Sequence, residues 1–320
     1  MWSYLLVLAL ATLTLSANPP KKQLIFGTDQ EDIQIQPFVD PIDGIFYRLP
    51  NDTYPLHYDV SLKTEIHLGD FSFTGIVDII FECITQTNLI TIQERQLTII
   101  KVDLFDVNDV VIEEDILFTE EADREFLLIP TRQFLTVGTQ YKLKIYYSGI
   151  LRQDEAGFYR SSYQNAQGQT VWLATTQFES TDARHGFPCW DEPGIRSTFA
   201  IEIEHHESYT ALSNMPVISR DPTTANHVLT KFQTTPKMQT YLIAYVVSDF
   251  ISVENFDVRV PQRVFATPAQ IQDGQGDFAL DFGVNCLQAF ERHLRVEYLL
   301  PKMDQISIPD FSAGAMENFG

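Results

Sequence analysis

Two strings of residues carry side chains that could do chemistry. The first is Gly314-Ala-Met-Glu-Asn318. Small residues at Gly314 and Ala315 let a second backbone come close, so a peptide could pair with this segment as an added strand. Glu317, beside such an edge, would meet whatever lies at the end of that peptide. A free α-amine has a reference pKa of about 8 and is mostly charged near neutrality. A charge-assisted hydrogen bond to it contributes on the order of 1.5–3 kcal/mol, more than a neutral contact. Such a site counts residues from the N-terminus, which is the logic of an exopeptidase. Taken without context, the same five residues also read as an ordinary solvated loop.

The second string is Thr176-Gln-Phe-Glu-Ser-Thr-Asp-Ala-Arg-His-Gly-Phe-Pro-Cys-Trp-Asp-Glu-Pro193. It gathers Gln177, Glu179, Asp182, Arg184, His185, Asp191 and Glu192 among Phe178, Phe187 and Trp190. Polar groups interleaved with aromatics imply a stretch that is partly buried and internally paired. For Asp182-Ala-Arg184 and Asp191-Glu-Pro193 the preferred reading is structural: Arg184 in a salt-bridge network with Asp182, Asp191 or Glu192, holding a loop.

The elements that must position these strings are mostly strands. Val77, Ile79, Phe81 and Cys83 fall on one face of an extended segment, with Asp78 and Glu82 on the other. Tyr141, Leu143, Ile145 and Tyr147 alternate with Lys142 and Lys144, as Phe199, Ile201 and Ile203 do with Glu202 and Glu204. Period-two alternation marks half-buried antiparallel strands. Tyr241 to Val247 is a continuous apolar run, which suits a strand covered on both faces. Together these predict an all-β sandwich or saddle of roughly 200 residues. After Phe250 the pattern changes: one strand-like piece from Val258 to Phe265, then a helical period over residues 275–297 through Leu280, Val284, Leu287, Phe290 and Leu294. Met303 to Phe311 reads extended. This last part has too few elements to bury a core of its own.

The sequence has 320 residues, 44% of them hydrophobic, with 43 acidic against 22 basic side chains and a net charge of −21. That balance argues for a folded protein and against nucleic acid, whose phosphates need clustered Lys and Arg. The apolar run from Leu5 to Leu15, followed by Ser16 and Ala17, is shorter than the roughly 20 residues that cross a bilayer. It reads as a signal peptide over residues 1–17, ahead of a polar lead-in over 18–47. Asn51-Asp-Thr53 is the single N-glycosylation sequon and agrees with passage through the secretory pathway. Three cysteines, Cys83, Cys189 and Cys286, are too few for a disulfide scaffold, although one bridge stays open; buried thiols are the expected state.

On these strings the sequence resembles the aminopeptidase N family of zinc metallopeptidases. Gly314–Asn318 matches that family's exopeptidase signature letter for letter. The Thr176–Pro193 string matches its N-domain block, and agreement runs on through Arg48-Leu-Pro50, Pro55 with His57-Tyr58, Leu212-Ser-Asn-Met-Pro216 and Tyr241 to Phe250. The resemblance covers residues 45–320 in order. It implies an N-terminal β-saddle domain over 48–253 and the beginning of a thermolysin-like α+β catalytic domain over 254–320. It further implies that Glu179 and Glu317 share the substrate's amine, that Gln177 borders the first side-chain pocket, and that Gly314, Ala315 and Met316, with Asn318 beside them, hold the substrate backbone. His185 departs from the Lys or Arg that the family commonly has, so the charge there becomes pH-dependent.

The resemblance also implies Zn²⁺, held by a His-Glu-x-x-His helix and a later Glu downstream of the signature. The seven histidines here, His57, His67, His185, His205, His206, His227 and His293, include no pair three or four apart, so no two share a helix face. The zinc ligands are therefore expected downstream of Gly320, and this chain alone is expected to be inactive. The resulting expectation is a zinc-dependent aminopeptidase, acting on extracellular peptides with a free N-terminus, of which this chain is the N-terminal part. Attachment to a membrane through a further C-terminal segment is left open. The alternative is a non-catalytic protein of the same fold that binds peptide ends or serves as a cell-surface receptor.

Overall fold

Wherever the sequence alternates apolar with polar side chains, the chain runs as a strand with one face buried. The computed structural model describes residues 47–320 apart from Ala225. The expected signal peptide, and the lead-in up to residue 46, lie outside the described residues. The strands in chain order are β1 (Thr53–Thr64), β2 (Ser72–Cys83), β3 (Leu89–Gln93), β4 (Leu97–Asp106), β5 (Val111–Glu113), β6 (Thr119–Glu121), β7 (Phe126–Pro130), β8 (Gln140–Ile150) and β9 (Gly157–Gln164). There follow β10 (Thr170–Gln177), β11 (Thr198–His206), β12 (Thr210–Ser213), β13 (Val217–Pro222), β14 (His227–Phe232), β15 (Tyr245–Ser248), β16 (Ile251–Asn255), β17 (Gln262–Ala266) and β18 (Met303–Ile306). The helices are α1 (Pro268–Gln272) and α2 (Asp277–Leu294).

The largest sheet has eight strands in the order β13-β14-β11-β1-β2-β8-β4-β5. All its pairs are antiparallel except β1 with β11, which run parallel from His57↔Thr198 to Lys63↔Glu204. Its inner face is the set the alternation predicts: Val77, Ile79 and Phe81 of β2, Leu143 and Ile145 of β8, and Phe199, Ile201 and Ile203 of β11 are buried. Fully burying a side chain of this size contributes about 1.5–3 kcal/mol. A four-stranded sheet, β12-β15-β10-β9, and a three-stranded sheet, β3-β7-β6, share the same core. A second three-stranded sheet, β16-β17-β18, pairs β17 with β18 in parallel. Phe250 and Phe265 from its side meet Leu173, Leu212 and Val246 of the four-stranded sheet in a smaller apolar cluster, with Ile306 and Ile308 packed against it. The fold is mainly β, as expected.

Local expectations are partly met and partly corrected. The apolar run Tyr241–Val247 is not one strand: Thr240–Leu242 is a 3-10 turn and only Tyr245–Ser248 joins the sheet. The break has a cause, because the Asn214 side chain donates to Leu242 O and accepts from Ala244 N, each at 2.9 Å, fixing a bend between them. The helical period over 275–297 is confirmed as α2, but of its apolar positions only Leu280 is buried, while Phe290 and Leu294 are exposed. A short helix, α1, precedes it, started by a capping box between Thr267 and Gln270. All three cysteines are free thiols; Cys83 and Cys189 are buried and Cys286 half-buried. Among the described residues no helix is long and apolar enough to cross a membrane.

Candidate functional site

The β9–β10 hairpin delivers the Thr176–Pro193 string. Its strands pair from Thr170↔Gln164 to Gln177↔Gly157, so β10 ends at Gln177. Phe178 then turns inward against Phe187 and Tyr245, with ring centroids 6.1 and 5.7 Å away. With Phe178 anchored, Glu179 on the next residue is left exposed. A 3-10 turn over Ala183–His185 follows, and Cys189 pairs with Gln93 of β3.

Behind Glu179 the string is a buried ion-pair network. Arg184 donates from Nε to Asp191 Oδ2 at 3.1 Å, and from Nη1 to Glu125 Oε2 at 2.8 Å. Asp191 also accepts from Thr240 Oγ1 at 2.6 Å and from the Arg184 backbone at 3.1 Å, while its own N–H donates to Gln93 Oε1 at 2.7 Å. Burial pushes the Asp191 carboxyl above its ordinary range; Arg184 and Thr240 oppose that. The structural reading therefore holds, with partners redistributed. Asp182 lies 3.2 Å from buried His185, and Glu192 accepts from Arg48 Nε at 2.7 Å and Leu49 N at 2.6 Å. Beside the network, Glu94 is buried near Glu120. Burial, and then that neighbouring charge, raise its carboxyl to about 7.

The Gly314–Asn318 string follows β18. After Ser307, whose N–H donates to Phe265 O at 2.9 Å, the chain runs without regular structure to Gly320. Met316 turns back to pack on the main core, and Gln177 Nε2 reaches its sulfur at 3.8 Å. Asn318 donates to Leu242 O at 3.2 Å and Ile243 O at 3.4 Å, and Asn214 donates to Phe319 O at 2.7 Å. These bonds lay the segment across the four-stranded sheet. Between sheet and segment is a cavity of about 560 Å³, bordered by Thr176, Tyr245, Ile306, Gly314, Ala315 and Met316 among others. The Tyr245 hydroxyl and Gln177 Oε1 are buried and take no hydrogen bond among the described residues.

Gly314, Ala315 and Glu317 are exposed. A Cβ added at Gly314 would meet no atom within 4 Å, so nothing in the described residues requires a glycine there. Neither Glu179 nor Glu317 takes an ion pair or hydrogen bond with any described residue, in contrast to Asp191. The structure thus brings the loops of Gln177 and Met316 into contact and leaves their two carboxylates open to solvent. Asn51 is exposed in the turn ahead of β1, and Thr53 of its sequon is the first, buried residue of that strand.

Spacing could not reveal Asp310, which Ser161 and Tyr159 bind from β9. Asn214 was visible only as part of the Leu212–Pro216 string, with no hint of its role. The residues described do not fit a zinc ion, since no three His, Cys, Asp or Glu side chains among them are grouped to hold one.

Two family models match the chain: the peptidase M1 N-terminal domain over residues 54–242 and the peptidase family M1 domain over residues 278–320. The alanine/arginine aminopeptidase of Saccharomyces cerevisiae is 39% identical over 278 residues, covering 85% of this chain and 31% of the relative. Aminopeptidase N of Bos taurus is 39% identical over 297 residues, with 86% and 30% covered. The endoplasmic reticulum aminopeptidase 1 of Rattus norvegicus is 36% identical over 275 residues, with 85% and 29% covered. The chain thus spans about three-tenths of the length of these relatives.

Proposed function

The chain belongs to the M1 family of peptidases, and we propose that it is the amine-recognising part of a zinc-dependent aminopeptidase that trims peptides outside the cell. The observation that carries this reading is the Gln177–Met316 contact, which joins two loops that each present an exposed, unpaired carboxylate. In this proposal Glu179 and Glu317 together hold the substrate's α-ammonium. Two carboxylates facing one site repel each other, and a bound cation relieves that repulsion. Gln177 borders the pocket for the first side chain, with its free Oε1 available to a ligand N–H. Gly314 and Ala315 let the substrate backbone lie along the loop; the open space at the Gly314 Cβ supports this, since only an incoming chain would need it clear. Asn318, engaged with two backbone carbonyls, holds the loop down.

The zinc in this proposal takes its ligands from outside the described residues. The role of these residues ends at capturing an N-terminus and fixing its register, which sets where a peptide would be cut. Residues 48–253 are proposed as the β-saddle domain and 254–320 as the start of the catalytic domain. Entry to the secretory pathway through the Leu5–Leu15 run, and a glycan on exposed Asn51, belong to the same proposal.

The test is a titration of the purified chain with alanyl-alanine amide and its N-acetyl counterpart, followed by NMR line broadening. The free amine is expected to bind measurably more tightly. Equal responses to the two peptides would remove the amine site.

A further inference from the structure

We infer that Asp310 is a positioning residue that fastens the Gly314–Asn318 loop to strand β9 and thereby sets where Glu317 stands relative to Glu179. The inference rests on the proposed amine site. Asp310 is held by three hydrogen bonds, all from one strand. Ser161 Oγ donates to Asp310 Oδ2 at 2.8 Å and accepts from the Asp310 N–H at 3.2 Å, closing a reciprocal pair. Tyr159 donates its hydroxyl to the Asp310 carbonyl at 2.8 Å. Both donors are fixed: Tyr159 is fully buried and Ser161 nearly so. Burial raises the Tyr159 phenol well above its ordinary value, so its proton stays on and the donor persists.

The placement of these donors gives the bonds their consequence. Tyr159 and Ser161 pair with Thr175 and Leu173 of β10, and that same strand ends at Gln177. One hairpin therefore holds both halves of the site: β10 leads directly to Glu179, and β9 grips the chain shortly before Glu317. With strands rising about 3.4 Å per residue, a fixed register between β9 and β10 becomes a fixed distance between the two grips. Downstream the loop is fastened again, by Asn318 to Leu242 and Ile243. Between these posts, residues 312–315 are exposed and only Met316 packs on the core. Without the upstream post, the first firm hold on the main chain before Met316 is at Ser307 and Ile308. The arm carrying Glu317 would then be longer and its carboxylate less well placed.

The test compares the purified chain with Asp310→Ala, Ser161→Ala and Asp310→Asn, using two readouts. Backbone amide order parameters at residues 311–317 read the fastening; NMR line broadening by alanyl-alanine amide against its N-acetyl form reads the amine grip. Asp310→Ala removes the side-chain bond and leaves the two to the main chain; it is expected to lower the order parameters of that segment and to weaken the preference for the free amine. Ser161→Ala removes two of the three bonds and should have the larger effect, lowering the order parameters to under about 0.6 and erasing most of the preference. Order parameters in β16–β18 should stay unchanged. Asp310→Asn keeps an oxygen for the Ser161 hydroxyl and is expected to restore both readouts. Unchanged order parameters in Ser161→Ala would refute the fastening. A loosened segment with the amine preference intact would refute the positioning role. If the unmutated chain shows no preference for the free amine, the amine site and this role fall together, while the order parameters still report whether the fastening exists.

Discussion

Glu179 and Asp191 come from the same short stretch of sequence, and the fold treats their charges in opposite ways. Asp191 is fully buried, its carboxylate accepting from the Arg184 guanidinium, the Arg184 backbone N–H and the Thr240 hydroxyl while its own N–H donates to Gln93, so its charge is used up in holding the loop beside the Gln93–Cys189 junction. Glu179 stands exposed with no partner among the described residues, on a loop touching the one that carries Glu317, which is likewise exposed and without a described partner. The difference separates a charge that the fold consumes from one that it leaves available. Burial of an acidic residue next to an Arg is the mark of the first; exposed carboxylates on two touching segments, neither neutralised by a described residue, are the mark of the second.

The largest effect that tests this contrast is on stability. Asp191→Ala leaves Arg184 buried without its main counter-charge and should destabilise the fold by about 3–5 kcal/mol, read from denaturant unfolding; a loss under about 1 kcal/mol would break the contrast. Next comes recognition. In a catalytically complete enzyme carrying these residues, Glu317→Ala should lower kcat/KM tenfold or more, equivalent to about 1.4 kcal/mol. An unchanged rate would return Glu317 to the class of solvated surface charges.

A smaller effect concerns Glu94, in the buried region. Its folded carboxyl titrates at about 7, above the ordinary 4.5, so the folded state binds more protons than the unfolded one between those values. Stability contributed by the neutral acid is full below about pH 4.5 and lost as pH rises through 7. After allowing for solvent screening the loss is on the order of 1 kcal/mol. Glu94→Gln should remove that loss and make the protein more stable than wild type at pH 8; a steeper decline in the variant would contradict it. The smallest expected effect is the counterpart of the first: Glu179→Ala should change stability by no more than about 0.5 kcal/mol, while weakening the free-amine preference.

How far the sequence could be read follows from the range of the interactions involved. Alternation in β2, β8 and β11 is local, so their buried faces are legible from neighbours two residues apart. The run Tyr241–Val247 is misread because an uninterrupted apolar string has no period of its own, and its bend is imposed by Asn214, just past the end of β12. In α2 the helical period is legible, but not its exposure, because the helix packs on β16 and β17 with Leu280 buried and Phe290 and Leu294 left in the open. A carboxylate beside a small-residue edge is legible at Glu317, but its pairing with Glu179 is legible only through resemblance. Glu179 and Glu317 lie far apart in the chain, and the grip of Ser161 on Asp310 spans 149 positions, a separation that no spacing rule reaches.

The open space at Gly314 has a consequence for any survey of sequence variation. A screen that scores variants of this chain by expression or folding would find Gly314→Ala silent, because the new methyl group strikes nothing. In the proposed site the cost would surface only when a peptide occupies the loop, so the glycine would be under selection through its ligand and invisible to selection for the fold.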